Sequence, residues 1–348
     1  MRAKHTIKDI AEKAGVSIGT VDRVLHERGR VSKASERKIV AAIKELDYKP
    51  NPIAQTLKNG IVHKIGVLLP NPDLDSFWRP CEEGIQEVIS EYSAFTIDVV
   101  LYYFNPFKSK SFLQLGHKAY RDGVHALFFV PLFDRETNSI LEKFDDADVL
   151  LATFNSPLLN TIDLYVGQDL VLSGRTAARL LHMSSPDKGK FAIVHINESF
   201  ENAGHMRKKE QGFISYCIEN GLNAPLTITL MAEEFKTKLV SFLEMHQDLQ
   251  GIFVTTSKAH EVAKVLDSIN QEKIILIGYD LLDENLEYLQ KGTIDFLIHQ
   301  DPKTQASLGL RYVIENLLFK KEFPKEKLLP IGIINSENAK SYIAQASV

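Results

Sequence analysis

The chain has 348 residues, 44% of them hydrophobic, with a formal net charge of −4, too long for one ordinary domain and apolar enough for two or three. The charge is uneven: residues 1–60 hold 13 Lys and Arg against 7 Asp and Glu, a net of +6, and the remainder hold 28 against 38, a net of −10, which suits a basic head meeting a polyanion, although a clustered solvated surface gives the same count. Two cysteines, Cys81 and Cys217, exclude a disulfide framework and a cysteine metal site, and with no apolar signal core and no run near ~18 apolar residues the expected location is the cytosol, with no membrane partner.

The first sixty residues read as short helices. Thr6-Ile7-Lys8-Asp9 fits a capping box, with Thr6 as N-cap and Asp9 reaching back. Ile7, Ile10, Ala11 and Ala14 then share one helix face, and Gly15 ends the helix because it takes positive φ without a Cβ penalty. Ser17 caps a second helix with Val21, Val24 and Leu25 on its buried side. Ser32 opens a third with Ile39, Ile43 and Leu46 on one stripe, and Pro50 and Pro52 stop it.

From Lys64 the rhythm changes. Apolar runs at Ile65–Leu69, Ala126–Val130, Val149–Phe154, Phe191–Ile196, Gly251–Val254 and Ile274–Ile277 read as buried parallel strands. Between them lie amphipathic stretches at Glu82–Tyr92, Phe112–Asp122, Ser173–Met183, Arg207–Asn220, Lys258–Asn270 and Thr304–Phe319. The alternation predicts a doubly wound α/β architecture. About ten strands are many for one such sheet, so two lobes are expected.

Two short helices joined by a tight glycine turn, followed by a third, make a helix-turn-helix. The second helix carries Ile18, Gly19, Asp22, Arg23 and His26 away from its apolar side, where Arg23 can pair bidentately with guanine. A plain three-helix bundle fits the pattern as well. The stretches TIKDIAEKAGVSIGTVDRVLHERGRVS and LDYKPNPIAQTLKNG narrow the choice, because they resemble the lac repressor and purine repressor family. The resemblance runs over the whole chain. It implies a helix-turn-helix domain at 1–49, a hinge helix and linker at 50–61, and an effector domain at 62–348 built like the type I periplasmic sugar-binding proteins. The N-lobe is expected at about 62–165 and 295–325, and the C-lobe at about 166–294 and 326–348.

Position by position, the resemblance implies a DNA-contacting set of Thr6, Ser17, Ile18, Gly19, Thr20, Asp22, Arg23, His26, Asn51, Ala54, Gln55 and Leu57, with Leu57 as a wedge in the minor groove. Asp22 stands where the family usually has Ser, and Gln55 where many members have Arg. For the effector, the implied set is Asn71, Asp73, Phe77, Trp78, Asn155, Asp169, Arg207, Lys209, Asp280 and Gln300. Aromatic faces suit the C–H face of a pyranose, and carboxylates and amides hold its hydroxyls. Several of these end predicted strands, where open α/β folds place ligands. Lys209 replaces the family's arginine. His195 and His299 end strands and could line the cleft. Other readings stay open: Asp169 as a helix N-cap, Asn155 as a turn residue, the aromatic pair as core. The expected partners are a pseudo-palindromic double-stranded operator, a sugar effector and a second copy of the chain, with no cofactor or metal. No lipase, zincin, P-loop or dinucleotide motif is found; the alternative is a sugar-processing α/β enzyme with a fused DNA-binding head.

Overall fold

The computed structural model describes residues 5–25, 29, 31–46, 48, 62–145, 148–158, 162–185, 190–196, 202–231, 234–269 and 274–346. Two units divide the chain, Met1–Gly60 and Ile61–Val348. In the first, α1 (Ile7–Ala14), α2 (Ile18–Leu25) and α3 (Lys33–Glu45) follow one another. The capping box forms: Thr6 Oγ1 accepts from Asp9 N, and Asp9 Oδ2 accepts from Thr6 N at 2.6 Å. Gly15, at φ 65°, turns the chain out of α1. Ile10, Ala11, Ala14, Val21, Ile39 and Ala42 form the core.

The second unit has two lobes, each built on a six-stranded sheet. The N-lobe sheet has the order β11-β5-β4-β3-β1-β2, with β1 (His63–Pro70), β2 (Ile97–Phe104), β3 (Ala126–Phe129), β4 (Leu150–Phe154), β5 (Leu164–Gly167) and β11 (Glu326–Leu328) all parallel. The C-lobe order is β12-β10-β9-β8-β6-β7: β6 (Lys190–Ile196), β7 (Leu226–Leu230), β8 (Leu249–Val254), β9 (Ile275–Tyr279) and β10 (Phe296–His299) are parallel, and β12 (Gly332–Ile334) closes the edge antiparallel. The central strands are buried and mostly apolar because helices cover both faces. In the N-lobe these are α4 (Arg79–Glu91), α5 (Ser109–Arg121), α6 (Asp134–Phe144) and α12 (Pro302–Phe319), whose apolar sides share one core with the sheet. In the C-lobe α7 (Leu170–Ser184) and α8 (Gly204–Glu219) cover one face, and α9 (Phe235–Met245), α10 (Ala259–Ser268), α11 (Asp283–Lys291) and α13 (Ala339–Ala346) the other.

The chain crosses between lobes three times, after β5, after β10 and after β11. Gln168 ties the crossings together: its Nε2 donates to His299 O at 3.0 Å and Pro330 O at 2.6 Å. The expected lobe boundaries need correction here. Residues 296–299 pair with β9 and belong to the C-lobe; residues 326–328 pair with β5 and belong to the N-lobe. Short strands at a crossing carry no periodicity that assigns them to a sheet; pairing alone does. The hinge expected at 50–61 lies outside the described residues.

Candidate functional site

In the head, the hydroxyls of Thr6, Ser17 and Thr20 are engaged locally. Thr6 caps α1, and Ser17 Oγ lies 2.9 Å from Thr20 Oγ1 and accepts from Thr20 N at 3.3 Å. On α2 Val21 is buried, Ile18, Gly19 and Arg23 are exposed, and Asp22 is half-buried. This leaves one donor-bearing side chain on a helix whose apolar side is anchored. His26, Asn51, Ala54, Gln55 and Leu57 lie outside the described residues.

In the second unit, the carboxyl ends of the strands of both sheets border one cleft, the place open α/β sheets offer to ligands. The N-lobe wall is mainly apolar: Phe77, Trp78, Pro106, Phe107 and Leu132, with Asp75 and Asn155. Phe77 and Trp78 sit in a 3-10 turn, Ser76–Trp78, capped by Asp75, whose Oδ1 accepts from Phe77 N at 3.2 Å. Their rings meet edge to face, centroids 4.7 Å apart, a geometry favoured by the ring quadrupoles. The C-lobe wall is polar: His205, Lys209, Thr255, Thr256, Ser257 and Lys258, then Asp280 and Gln300.

Asp280 is 2% exposed. Its Oδ1 accepts from Gln300 N at 3.0 Å and its Oδ2 from Gln300 Nε2 at 2.6 Å. Burial pushes its carboxyl above the ordinary aspartate range, against the pull of His299, the Gln300 donors and Lys209. Lys209 is also buried. Its ammonium donates to Thr255 O at 3.0 Å and lies 3.6 Å from the centroid of the Tyr279 ring, a cation–π contact that offsets part of its desolvation. The lysine is placed by backbone contact: a Cβ on Gly174 of α7 would come 1.8 Å from Lys209 O, and one on Gly212 of α8 would come 1.9 Å from Val171 O. Only glycine lets α7 and α8 approach so closely.

Asn155 and Asp280 occupy equivalent places, just past β4 and β9. Both are left-handed, at φ 67° and 64°, a conformation short polar side chains tolerate. Each donates its backbone N–H to the next strand, Asn155 to Val166 O at 3.1 Å and Asp280 to Ile298 O at 3.0 Å. The turn aims backbone and side chain at the cleft from both lobes. Asn155 Nδ2 and Thr256 Oγ1 are buried there without a hydrogen-bond partner.

Of the ten effector residues read from the sequence, the cleft gathers Phe77, Trp78, Asn155, Lys209, Asp280 and Gln300. The other four are engaged elsewhere. Asn71 Oδ1 accepts from Asp73 N at 2.9 Å in a turn, and Asp73 pairs with Arg79 at the surface. Asp169 is the N-cap of α7, accepting from Leu172 N at 2.9 Å. Arg207 pairs with Asp134 of the other lobe. His195 does not line the cleft either; it is buried behind the wall, with Nδ1 2.7 Å from Thr255 Oγ1 and Nε2 3.1 Å from Glu210 Oε2.

Residues 65–321 match the family model for the periplasmic binding protein domain, and residues 6–51 that for bacterial regulatory proteins of the lacI family. Over most of its length the chain belongs to the periplasmic binding protein domain family, and it carries a lacI-family helix-turn-helix domain ahead of it. Among curated relatives, the ribose operon repressor of Halalkalibacterium halodurans is 26% identical, over 96% of this chain and 99% of that one. The sucrose operon repressor of Streptococcus mutans is 24% identical, over 97% and 100%. A crystal structure of a lacI-family transcriptional regulator from Silicibacter pomeroyi superposes with a TM-score of 0.65 at 18% identity, covering 95% of this chain and 98% of that one. With this pairing of domains the chain is a ligand-responsive, DNA-binding transcription regulator, and the enzyme alternative falls away because its named relatives are regulators. No helix among the described residues is long and apolar enough to cross a membrane.

The residues that sequence reasoning missed are Asp75, Pro106, Phe107, Leu132, His205 and the run Thr255–Lys258. A signal existed for two of these places. Leu132 and Thr255–Lys258 follow apolar runs already read as strands, so the strand-end rule applied to β3 and β8 reaches them.

Proposed function

We propose that the cleft takes a small sugar or sugar derivative, and that its occupancy changes the affinity of a homodimeric, cytoplasmic repressor for its operator. The observation that carries the reading is the opposition of an aromatic wall, Phe77 and Trp78, to a buried carboxylate, Asp280, fixed by Gln300. A pyranose presents an apolar C–H face and a rim of hydroxyls, and needs both surfaces. The unpartnered Asn155 Nδ2 and Thr256 Oγ1 have use for a hydroxyl partner, since a buried polar atom without one costs about 1–3 kcal/mol. The names of the ribose and sucrose operon repressors point to the same class.

On the DNA side, Arg23 reads a base edge and the other exposed residues of α2 fit the groove around it. Lys and Arg of the head neutralise phosphates, so binding falls steeply with salt. A two-fold operator matches a dimer. Closing the lobes on the sugar shifts the population of hinge arrangements and hence DNA affinity. The test is calorimetric titration of the full chain with monosaccharides, disaccharides and sugar acids, then measurement of binding to DNA selected by the chain from a random pool. A sugar that binds saturably and changes DNA affinity is the expected result. Binding of none of them, or binding with no effect on DNA, overturns the reading. Arg23→Ala is expected to cost about 1–3 kcal/mol on the selected DNA.

A further inference from the structure

The amino end of α6, in the N-lobe, lacks a cap of its own. Its N-cap residue is Phe133, which makes no side-chain capping bond. The first N–H groups of a helix have no partner within it. Here one is supplied from the other lobe: Asn202 Oδ1 accepts from Arg135 N at 3.0 Å, and Asn202 Nδ2 donates to Glu136 Oε2 at 3.0 Å. Five residues on, in the first turn of α8, Arg207 forms an ion pair with Asp134, the first residue of α6. Gly204 lies between these ties, with room for no more than a small side chain; a Cβ there would come 3.0 Å from Asp134 Oδ1. A third tie crosses the cleft where Lys258 stands 3.9 Å from Asp75 and 4.8 Å from the centroid of the Phe107 ring.

We propose that Asn202 and Arg207 form a latch that holds the lobes together by completing α6 across the cleft, independently of the groups that face the effector. When the lobes part, water replaces Asn202 on that exposed amide, and because a side-chain cap holds a helix end better than water does, the missing cap of α6 favours closure. The Asp134–Arg207 pair adds attraction, and its side chains are 33% and 39% exposed, so salt weakens it. The latch sets how far closure proceeds before any effector binds, and so sets how much affinity the effector must spend on closing. Arg207 then works by position, through α6, and not by touching the effector.

The latch is tested on the full chain without effector, so its outcome does not depend on which sugar the cleft takes. Spin labels on Tyr120→Cys, exposed on α5, and Met245→Cys, exposed at the end of α9, report the distance between lobes by electron–electron double resonance, with labelled chain diluted into unlabelled chain. The native cysteines are buried. Asn202→Ala with Arg207→Gln is expected to lower the closed-to-open ratio at least about fivefold, the size of one lost N-cap. Exchanging the charges, Asp134→Arg with Arg207→Asp, restores most of it while Asn202 is kept. In the labelled chain with Asn202, Asp134 and Arg207 intact, raising salt to about 1 M, where the screening length is ~3 Å, lengthens the mean distance, and this arm stands even if the latch variants fold poorly. An unchanged distance distribution in the folded double variant, or no response of the parent to salt, overturns the proposal.

Discussion

The two lobes have the same strand order and present different chemistry to the cleft between them. The N-lobe wall is aromatic and aliphatic, and its members also belong to the lobe's core: Phe77 and Trp78 are 6% and 4% exposed and pack with Cys81 and Ile85. The C-lobe wall is polar, and its members hang on a network that runs behind them: Lys209 on Tyr279 and Thr255, Thr255 on His195, His195 on Glu210. One fold repeated twice therefore divides recognition into a surface that stacks and a surface that hydrogen-bonds. Changes to the first should cost stability together with affinity, and changes to the second affinity alone.

The largest expected effect tests the first half of that contrast. Trp78→Ala should lower stability by roughly 3–5 kcal/mol, read from denaturant unfolding, and weaken sugar binding as well. Native stability with weakened binding would mean that the wall is separable from the core. Tryptophan emission, which comes from Trp78 alone, should shift saturably with a bound sugar.

Next is the support beneath the polar wall. Gly174→Ala drives a Cβ to 1.8 Å from Lys209 O, whereas Gly84→Ala in the N-lobe drives one to 2.6 Å from Lys303 O. The first should cost about 3 kcal/mol and displace Lys209, the second about half that. Equal losses in thermal or denaturant melts would remove the difference in helix packing between the lobes.

Asp280→Asn tests the polar wall directly. Affinity should fall by about 1.5–3 kcal/mol per charge-assisted bond lost, with the melting curve little changed. The pH dependence has a definite sign. Burial raises the folded-state pKa of Asp280, so its contribution to stability is present at low pH and is lost as pH rises through that raised value. Its acceptor strength runs the other way, and sugar affinity should fall on acidification through the same range. Calorimetric titration should show that fall in the parent and a flat response in Asp280→Asn.

The smallest effect separates a cap from a ligand contact. Asp169→Ala should cost about 1 kcal/mol of stability, as for a lost N-cap, and leave sugar affinity as it was. A loss of affinity without a loss of stability would return Asp169 to the cleft.

Sequence by itself determined the head and the alternation of elements. The capping box at Thr6, the glycine at 15 and the stripe from Ile10 to Val21 are local facts, settled within a few residues by hydrogen bonding and helical period, and the buried runs of β1, β3, β4, β6, β8 and β9 are settled by length and apolarity. Asn155, Asp280 and Gln300 were legible through the family resemblance, and Asn155 and Asp280 also through their place at strand ends, where open α/β folds put ligands. What only the tertiary structure decided is pairing across distance. Residues 326–328 join the N-lobe and residues 296–299 the C-lobe because of the strands they meet. Asp169 points into its own helix end, and Arg207 reaches a carboxylate 73 residues away in the chain, on the other lobe. A side chain's type and spacing limit what it can bind, but its partner is chosen by which backbone the fold brings within about 3 Å, and no periodicity in the chain encodes that distance.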